Sequence, residues 1–361
     1  MKVAIVYDKV NKWGGAERVL LSLHKIFPRA PLYTSVYDKK NASWAKVFEV
    51  KTSFLQNLPF IKSHNEFFPF LMPKAFESFN FDEYDLIISV TSEFAKGIIT
   101  NSSTKHICIC LTPTRYLWSG YDSYFKNKIF KFVSWPFVLY LRNQDLKLSK
   151  RPDYYIAISE EVKKRIKKYY GRNSKVIYPA VEIKKSKNKV KKGEYFLLVS
   201  RLSKYVMYKK VDLVIEAFNT LDLPLKIVGS GSLQNELKLK ANHNIQFLGK
   251  VSDENLEKLY KGARALIFPG IEDFGLVMAE AQSFGTAVIA YKKGGALEIV
   301  AEGKTGEFFT KQNSNSILKV LKNFNERIYN MEAIEKNAQR FSFEIFKKEL
   351  LSFIKESKKN N

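Results

Sequence analysis

Short β-branched and aromatic runs alternate with amphipathic helical patterns along this chain, and that alternation constrains the fold more than any other feature. A strand, a helix and a second strand in succession return the chain in parallel, so the expected class is α/β with parallel sheets covered by helices. Strand-type runs are Lys2 to Tyr7, Leu86 to Val90, His106 to Leu111, Tyr154 to Ser159 and Lys175 to Tyr178, then Tyr195 to Ser200, Leu225 to Val228, Ile245 to Leu248, Ala265 to Phe268 and Ala287 to Tyr291. Helical spacing marks Ala16 to Ile26, Glu160 to Tyr170, Val211 to Phe218 and Phe343 to Lys355. At 361 residues the chain outgrows the roughly 250–300 that one core can serve, so two domains are expected. Residues 183–193, IKKSKNKVKKG, are charged and free of aromatics, as an exposed linker should be. The expected organisation is a Rossmann-like domain over 1–182, a linker over 183–193, a second Rossmann-like domain over 194–340 and a C-terminal helix over 341–361 able to pack on either half.

Hydrophobic residues make up 45% of the chain and charged residues 27%, too apolar for a disordered protein. No run approaches the roughly 20 apolar residues that span a bilayer, and the first residues read as a strand without a cationic leader, so a cytosolic protein is expected. Cys108 and Cys110 share one face of a strand in a geometry unsuited to a mutual disulfide, and no metal site is indicated. The 60 basic against 36 acidic residues leave +24, unevenly spread. Residues 126–175 hold fourteen Lys or Arg and four Asp or Glu, interleaved with Phe130, Phe132, Trp135, Phe137 and Tyr140. No nucleic-acid-binding signature is present, whereas a basic, aromatic stretch suits an anionic membrane surface.

The most informative segment is Pro269 to Ala281, PGIEDFGLVMAEA, which follows a strand and opens a helix near Gly275. Glu272 and Glu280 would stand about 12 Å apart if all between were helical, one in the loop and one in the helix's second turn. The amides around Phe274, Gly275, Leu276 and Val277 would form an anion site at the helix N-terminus. Two carboxylates for hydroxyl groups beside a phosphate cradle describe a sugar-nucleotide site; the alternative is a capped helix with solvent-facing glutamates.

Further motifs lie near strand carboxyl ends: Val199-Ser200-Arg201-Leu202, Lys209-Lys210-Val211-Asp212, Lys293-Gly294-Gly295-Ala296-Leu297-Glu298, and Trp13-Gly14-Gly15-Ala16-Glu17-Arg18. With these the chain resembles the retaining GT-B glycosyltransferases of family 4 (group 1), most closely the bacterial mannosyltransferase-like branch of surface-polysaccharide assembly. The resemblance implies two Rossmann-like domains facing a central cleft. It also implies transfer of a hexose, mannose from GDP-mannose, to a lipid-linked or polysaccharide-precursor acceptor on the cytosolic face of the membrane. Residue by residue, it implies that Arg201 and Lys209 grip the donor diphosphate, Glu272 meets the transferred sugar and Glu280 the ribose. Gly14 and Gly15 bring backbone to the phosphates, and Gly229 and Val251 enclose the nucleoside. Arg115 and Tyr116 stand on the acceptor side. No cofactor and no metal is implied.

The sequence departs from the family pattern twice. Leu111 stands where related sequences carry a histidine, and His106, about 16 Å back along an extended strand, cannot replace it. It is expected, with His24, His64 and His243, to be a satisfied structural histidine. Arg201 and Lys209 are eight positions apart, so Ser203 to Tyr208 must bulge, leaving open whether Lys209 or Lys210 meets the phosphate. A phenylalanine-rich tract over 54–81 reads either as short buried helices or as a partly exposed lip beside a lipid-linked acceptor. UDP-sugar transfer, an epimerase and a catalytically silent nucleotide-sugar-binding scaffold are the alternatives.

Overall fold

The computed structural model describes residues 1–58, 69–125, 127–183, 193–204 and 209–359. Most of the expected linker, residues 205–208 of the expected bulge, His64, and Pro59, Phe60, Phe67 and Phe68 of the aromatic tract lie outside the described residues. The chain forms two compact units, residues 1–180 with 346–361 and residues 181–345.

The first unit is built on seven parallel strands: β1 (Val3–Tyr7), β2 (Leu32–Thr34), β3 (Val50–Thr52), β4 (Leu86–Thr91), β5 (Lys105–Cys110), β6 (Tyr154–Ala157) and β7 (Lys175–Val176). Their order is β3-β2-β1-β4-β5-β6-β7. Every residue of β1 and β4 is buried, as a parallel strand covered on both faces requires. The helix Gly15–Ile26 supplies part of that cover through Val19, Leu20 and Leu23. The free thiols Cys108 and Cys110 are both buried on β5, where burial pushes Cys108 up to about 12 and leaves it inert.

Two buried carboxylates fix the loops of this unit. Asp8, directly after β1, accepts from the Thr91 hydroxyl (2.7 Å) and from the backbone amides of Ser92, Glu93, Phe94 and Ala95 (2.8–3.1 Å), which welds the end of β1 to the loop after β4. Asp145 accepts from Lys96 Nζ (2.6 Å), Thr114 Oγ1 (3.0 Å), Trp118 Nε1 (2.7 Å) and the Tyr170 hydroxyl (2.8 Å). Burial alone would push the Lys96 ammonium down, but the Asp145 carboxylate outweighs it and holds the group above its ordinary value. Asp145 lies on the helix Lys128–Leu148, which contains Pro136 and which the pattern reading does not mark.

The second unit has six parallel strands, β8 (Phe196–Val199), β9 (Leu225–Val228), β10 (Ile245–Gly249), β11 (Ala265–Phe268), β12 (Ala287–Tyr291) and β13 (Gly306–Phe309), in the order β10-β9-β8-β11-β12-β13. Phe196, Leu198, Ile227, Ile267, Ile289 and Phe309 from these strands pack with Val214 and Phe218 of the helix Val211–Leu221. The final helix, Phe343–Lys359, buries Phe346, Leu350 and Ile354, spaced by four, and its Ser357 carbonyl accepts from the Tyr154 hydroxyl of the first unit at 3.3 Å. The two parallel-sheet, Rossmann-like domains of the expected GT-B class are therefore present. All ten strand runs form strands, joined by the short β2, β3 and β13. Among the described residues no helix is long and apolar enough to cross a membrane. In the aromatic tract the helix Met72–Glu77 buries Met72 and Phe76, while Phe54 and Phe70 remain exposed.

His106 is fully buried on β5 with Nε2 2.8 Å from the Ser89 hydroxyl, and burial, then the Arg151 charge, lowers its pKa to about 3. His24 is half-buried and packs on Phe48. His243 corrects the expectation: its side chain is 86% exposed, 3.6 Å from Asp222, because it follows a surface helix instead of facing a core.

Two outcomes are expected. Lys96→Met should cost roughly 3–5 kcal/mol in urea unfolding because it strands a buried charge, and Lys96→Met with Asp145→Leu should cost less than the sum of the two single changes. For His106, the unfolded chain binds a proton near pH 6.5 that the folded chain refuses until about pH 3. The folded state therefore keeps its full stability above about pH 6.5 and loses up to about 1.4 kcal/mol per pH unit from this residue as the pH falls through that window. His106→Gln, which can still bond Ser89, should flatten that part of the pH profile.

Candidate functional site

In the second unit the connection from β8 runs to one side of the sheet and that from β11 to the other, so the loops at their carboxyl ends part. A small recess opens there, lined among others by Val199, Ser200, Lys209, Phe268, Pro269 and Gly270. Lys209 Nζ forms an ion pair with Glu272 Oε1, both side chains 17% exposed, and lies 5.7 Å above the Phe268 ring. Sequence positions 63 apart thus meet at one edge of the sheet. Lys210, at φ 53°, caps the helix Val211–Leu221 in the left-handed conformation.

The surrounding glycines are there because backbones touch. Gly229 takes φ 126°, and a Cβ on it would run into the Ser200 carbonyl, so the turn after β9 closes on the loop that carries Arg201. Gly295 donates its amide to the Glu272 carbonyl (2.9 Å), and a Cβ there would strike the Phe274 carbonyl. The loop after β12 therefore sets the backbone that holds Glu272.

Of the residues singled out in the sequence, Arg201 is exposed just beyond β8, and Val251 is half-buried just beyond β10. Gly275, at φ 95°, caps the helix Leu276–Ser283, with Leu276 half-buried at its start. Phe274 is 2% exposed and packs edge-on against Phe341, so only its backbone is available to a ligand. Glu280 does occupy the helix's second turn, but it is only 7% exposed and its Oε2 accepts from the Tyr260 hydroxyl at 3.3 Å.

Gly14, Gly15, Arg115 and Tyr116 belong to the first unit, Gly14 in the loop after β1, Gly15 opening the helix that follows, and Arg115 and Tyr116 in the loop after β5. Gly14 caps the helix Gly15–Ile26 in an extended conformation, and beneath it the buried Glu17 accepts from the Tyr7 hydroxyl at 2.8 Å. The loop bearing Arg115 and Tyr116 is fastened by Thr114 and Trp118 to Asp145 and by Arg142 Nε to the Leu117 carbonyl (2.7 Å). Burial, then the Glu93 carboxylate, holds the Tyr116 hydroxyl well above its ordinary value, so it is a neutral donor. Sequence reasoning missed Asp8 and Asp145 and gave Glu17 no role of its own within its motif; the available signal for Asp8 was a lone acid closing the apolar run Val3–Tyr7.

Residues 180–341 match the family model "Glycosyl transferases group 1". That segment takes in every loop around the recess, from Arg201 to Gly295. The chain is 34% identical over 124 residues, 32% of each chain, to the D-rhamnosyltransferase WbpZ of Pseudomonas aeruginosa. It is 26% identical over 133 residues, 35% of each chain, to the O-antigen chain mannosyltransferase C of Escherichia coli. The matched part thus spans about a third of the length of these curated relatives. In fold, it is similar to the Anabaena HepE protein solved in complex with UDP, at a TM-score of 0.73 and 19% identity, covering 99% of this chain and 100% of that one.

Because Lys209 lines the recess while Lys210 caps a helix, Lys209→Ala should weaken binding of a nucleoside diphosphate and Lys210→Ala should leave it nearly unchanged. Arg201→Ala should cost roughly 1.5–3 kcal/mol, the range for a hydrogen bond to a charged group. Calorimetry with GDP and UDP on folded variants checks all three.

Proposed function

We propose that the protein is a retaining glycosyltransferase that moves a hexose, mannose from GDP-mannose, to a lipid-linked or polysaccharide-precursor acceptor. The observation that carries this reading is the Lys209–Glu272 pair beside the recess between β8 and β11, inside the segment that matches the group 1 glycosyl transferases. An ammonium and a guanidinium, Lys209 and Arg201, suit a diphosphate, and a carboxylate at the same edge suits the hydroxyls of its sugar. Glu280, in the second turn of the helix Leu276–Ser283, takes the ribose. The name of the Escherichia relative, an O-antigen chain mannosyltransferase, supports a polysaccharide-precursor acceptor.

In the reaction, an acceptor hydroxyl oxygen attacks the anomeric carbon from the face that the diphosphate leaves, the sugar–phosphate bond breaks, and the departing phosphate oxygen takes the acceptor's proton. No protein base is obligatory. Positive charge from Arg201, Lys209 and the helix N-terminus at Leu276 stabilises the leaving group, so the proposed chemistry is metal-independent. Arg115 and Tyr116 serve the acceptor, and the protein acts from the cytoplasm on the inner face of the cell membrane. UDP-sugar transfer is the second reading, retained because the HepE neighbour was solved with UDP.

A calorimetric screen of GDP- and UDP-sugars should show GDP-mannose bound most tightly, and chelation should leave turnover unchanged. Glu272→Gln should lower kcat more than it raises KM, since that carboxylate acts where the sugar distorts. Glu280→Gln should mainly raise the donor KM, because it removes an interaction made equally in ground and transition states. Donor consumption without acceptor would instead favour an epimerase, and donor binding without turnover a silent scaffold.

A further inference from the structure

A surface helix of a globular domain carries one apolar stripe, and the helix Lys128–Leu148 carries two. The inner stripe runs through Val138, Leu141 and Leu148, all buried, with the first two against Leu117 and Tyr121. The outer stripe is Ile129, Phe132, Val133, Phe137 and Tyr140, at spacings of three, four, eight and eleven from its first member. These side chains are 76, 82, 70, 45 and 51% exposed. Large apolar side chains repeating at helical period toward solvent mark a surface that something else covers.

The charge around the stripe is predominantly positive, Asp122, paired with Lys131 at 2.6 Å, being the acid beside its start. No acidic residue occurs between Asp122 and Asp145, Lys128 and Lys147 are exposed near the two ends of the helix, and the whole stretch 126–175 is strongly basic. A second copy of the chain meeting this face about a two-fold axis would set these lysines against each other. A layer with anionic headgroups above an apolar interior complements both the stripe and the lysines.

We propose that the outer face of Lys128–Leu148 inserts into the interface of an anionic lipid bilayer, with its five apolar side chains at the acyl boundary and the neighbouring lysines at the headgroup phosphates. This deepens the reading of a membrane-bound acceptor and rests on it for its purpose. The inner face of the same helix holds Asp145 and Arg142, which fasten Thr114, Leu117 and Trp118. Insertion would therefore hold the loop of Arg115 and Tyr116 beside the lipid surface, where the phosphate of a lipid-linked acceptor lies.

The test is cosedimentation of the full chain with vesicles of phosphatidylglycerol mixed into phosphatidylcholine and with phosphatidylcholine alone. The protein should bind the mixed vesicles more tightly and release as salt rises. The double variant Phe132→Ser with Phe137→Ser, which keeps every charge, should lower the partition constant by at least about tenfold. Ile129→Ser with Val133→Ser is an independent pair expected to do the same. Calorimetric binding of GDP should be unchanged in both, which separates a failure here from a failure of the donor assignment. Undiminished partitioning of both folded pairs, or equal partitioning to both vesicle types, would overturn the proposal. So would a dimer in sedimentation velocity that either pair abolishes, because the face would then belong to a second copy.

Discussion

The reversal of strand order beside the first strand of each sheet is the constraint from which the rest of this molecule follows. Each sheet grows outward from its first strand, and the chain then comes back to lay a fourth strand against the first, β4 beside β1 and β11 beside β8. At those two places neighbouring strands send their connections in opposite directions, and the peptide groups at their carboxyl ends are left without covering loops. In the second unit this leaves the recess beside Lys209 and Glu272. In the first unit the same position is filled by Asp8, whose carboxylate gathers the Thr91 hydroxyl and the amides of residues 92–95. One topology thus gives an open edge in one unit and a closed, hydrogen-bonded edge in the other.

Loops at such edges must hold polar groups in place without water, and here they do so with paired charges and glycines. Asp145 is the clearest case: its four donors come from Lys96 after β4, Thr114 and Trp118 in the loop after β5, and Tyr170 on a helix, so a single buried carboxylate fixes segments far apart in sequence. The arrangement is stable only while every member is present, because an unpaired charge in that position costs more than the network gains. In the second unit Gly229 and Gly295 act differently, letting one loop lie directly on the carbonyls of another. Rigid backbone beneath Arg201 and Glu272 is what keeps a short recess from collapsing.

Much of this was legible because parallel strands covered on both faces must be apolar throughout. Runs such as Ala265–Phe268 and Ala287–Tyr291 announce themselves for that reason, and the helix Glu160–Tyr170 is marked by its acidic first turn and the left-handed Gly171 after it. Strands β2 and β3, of three residues each, are too short for period to register, and β13, GEFF, opens on a glycine and carries a glutamate, so its composition does not read as a buried strand. The helix Lys128–Leu148 escaped because two apolar stripes and Pro136 erase the one-sided period that identifies a helix. Within the site, the spacing of Glu272 and Glu280 placed one in a loop and one in the second helical turn. It could not reveal that Lys209 pairs with the first or that Tyr260 covers the second, since both contacts join separate elements.

Leu111 ties the two levels together. It follows β5 directly, its amide bonded to the Thr91 carbonyl at 2.8 Å, so the backbone there is held in register while the side chain offers nothing that accepts a proton. His106 does not compensate: it is sealed in the same strand, engaged by Ser89, and kept neutral by burial down to about pH 3. A mechanism that needed an imidazole beside the sugar would find none supplied by this strand. A mechanism in which the departing phosphate carries away the acceptor's proton asks only for cations around that phosphate, and Arg201 and Lys209 stand in loops at the carboxyl edge of the sheet that matches the glycosyl transferases. A leucine at position 111 is therefore compatible with the proposed proton route, which makes least use of the first unit's side chains.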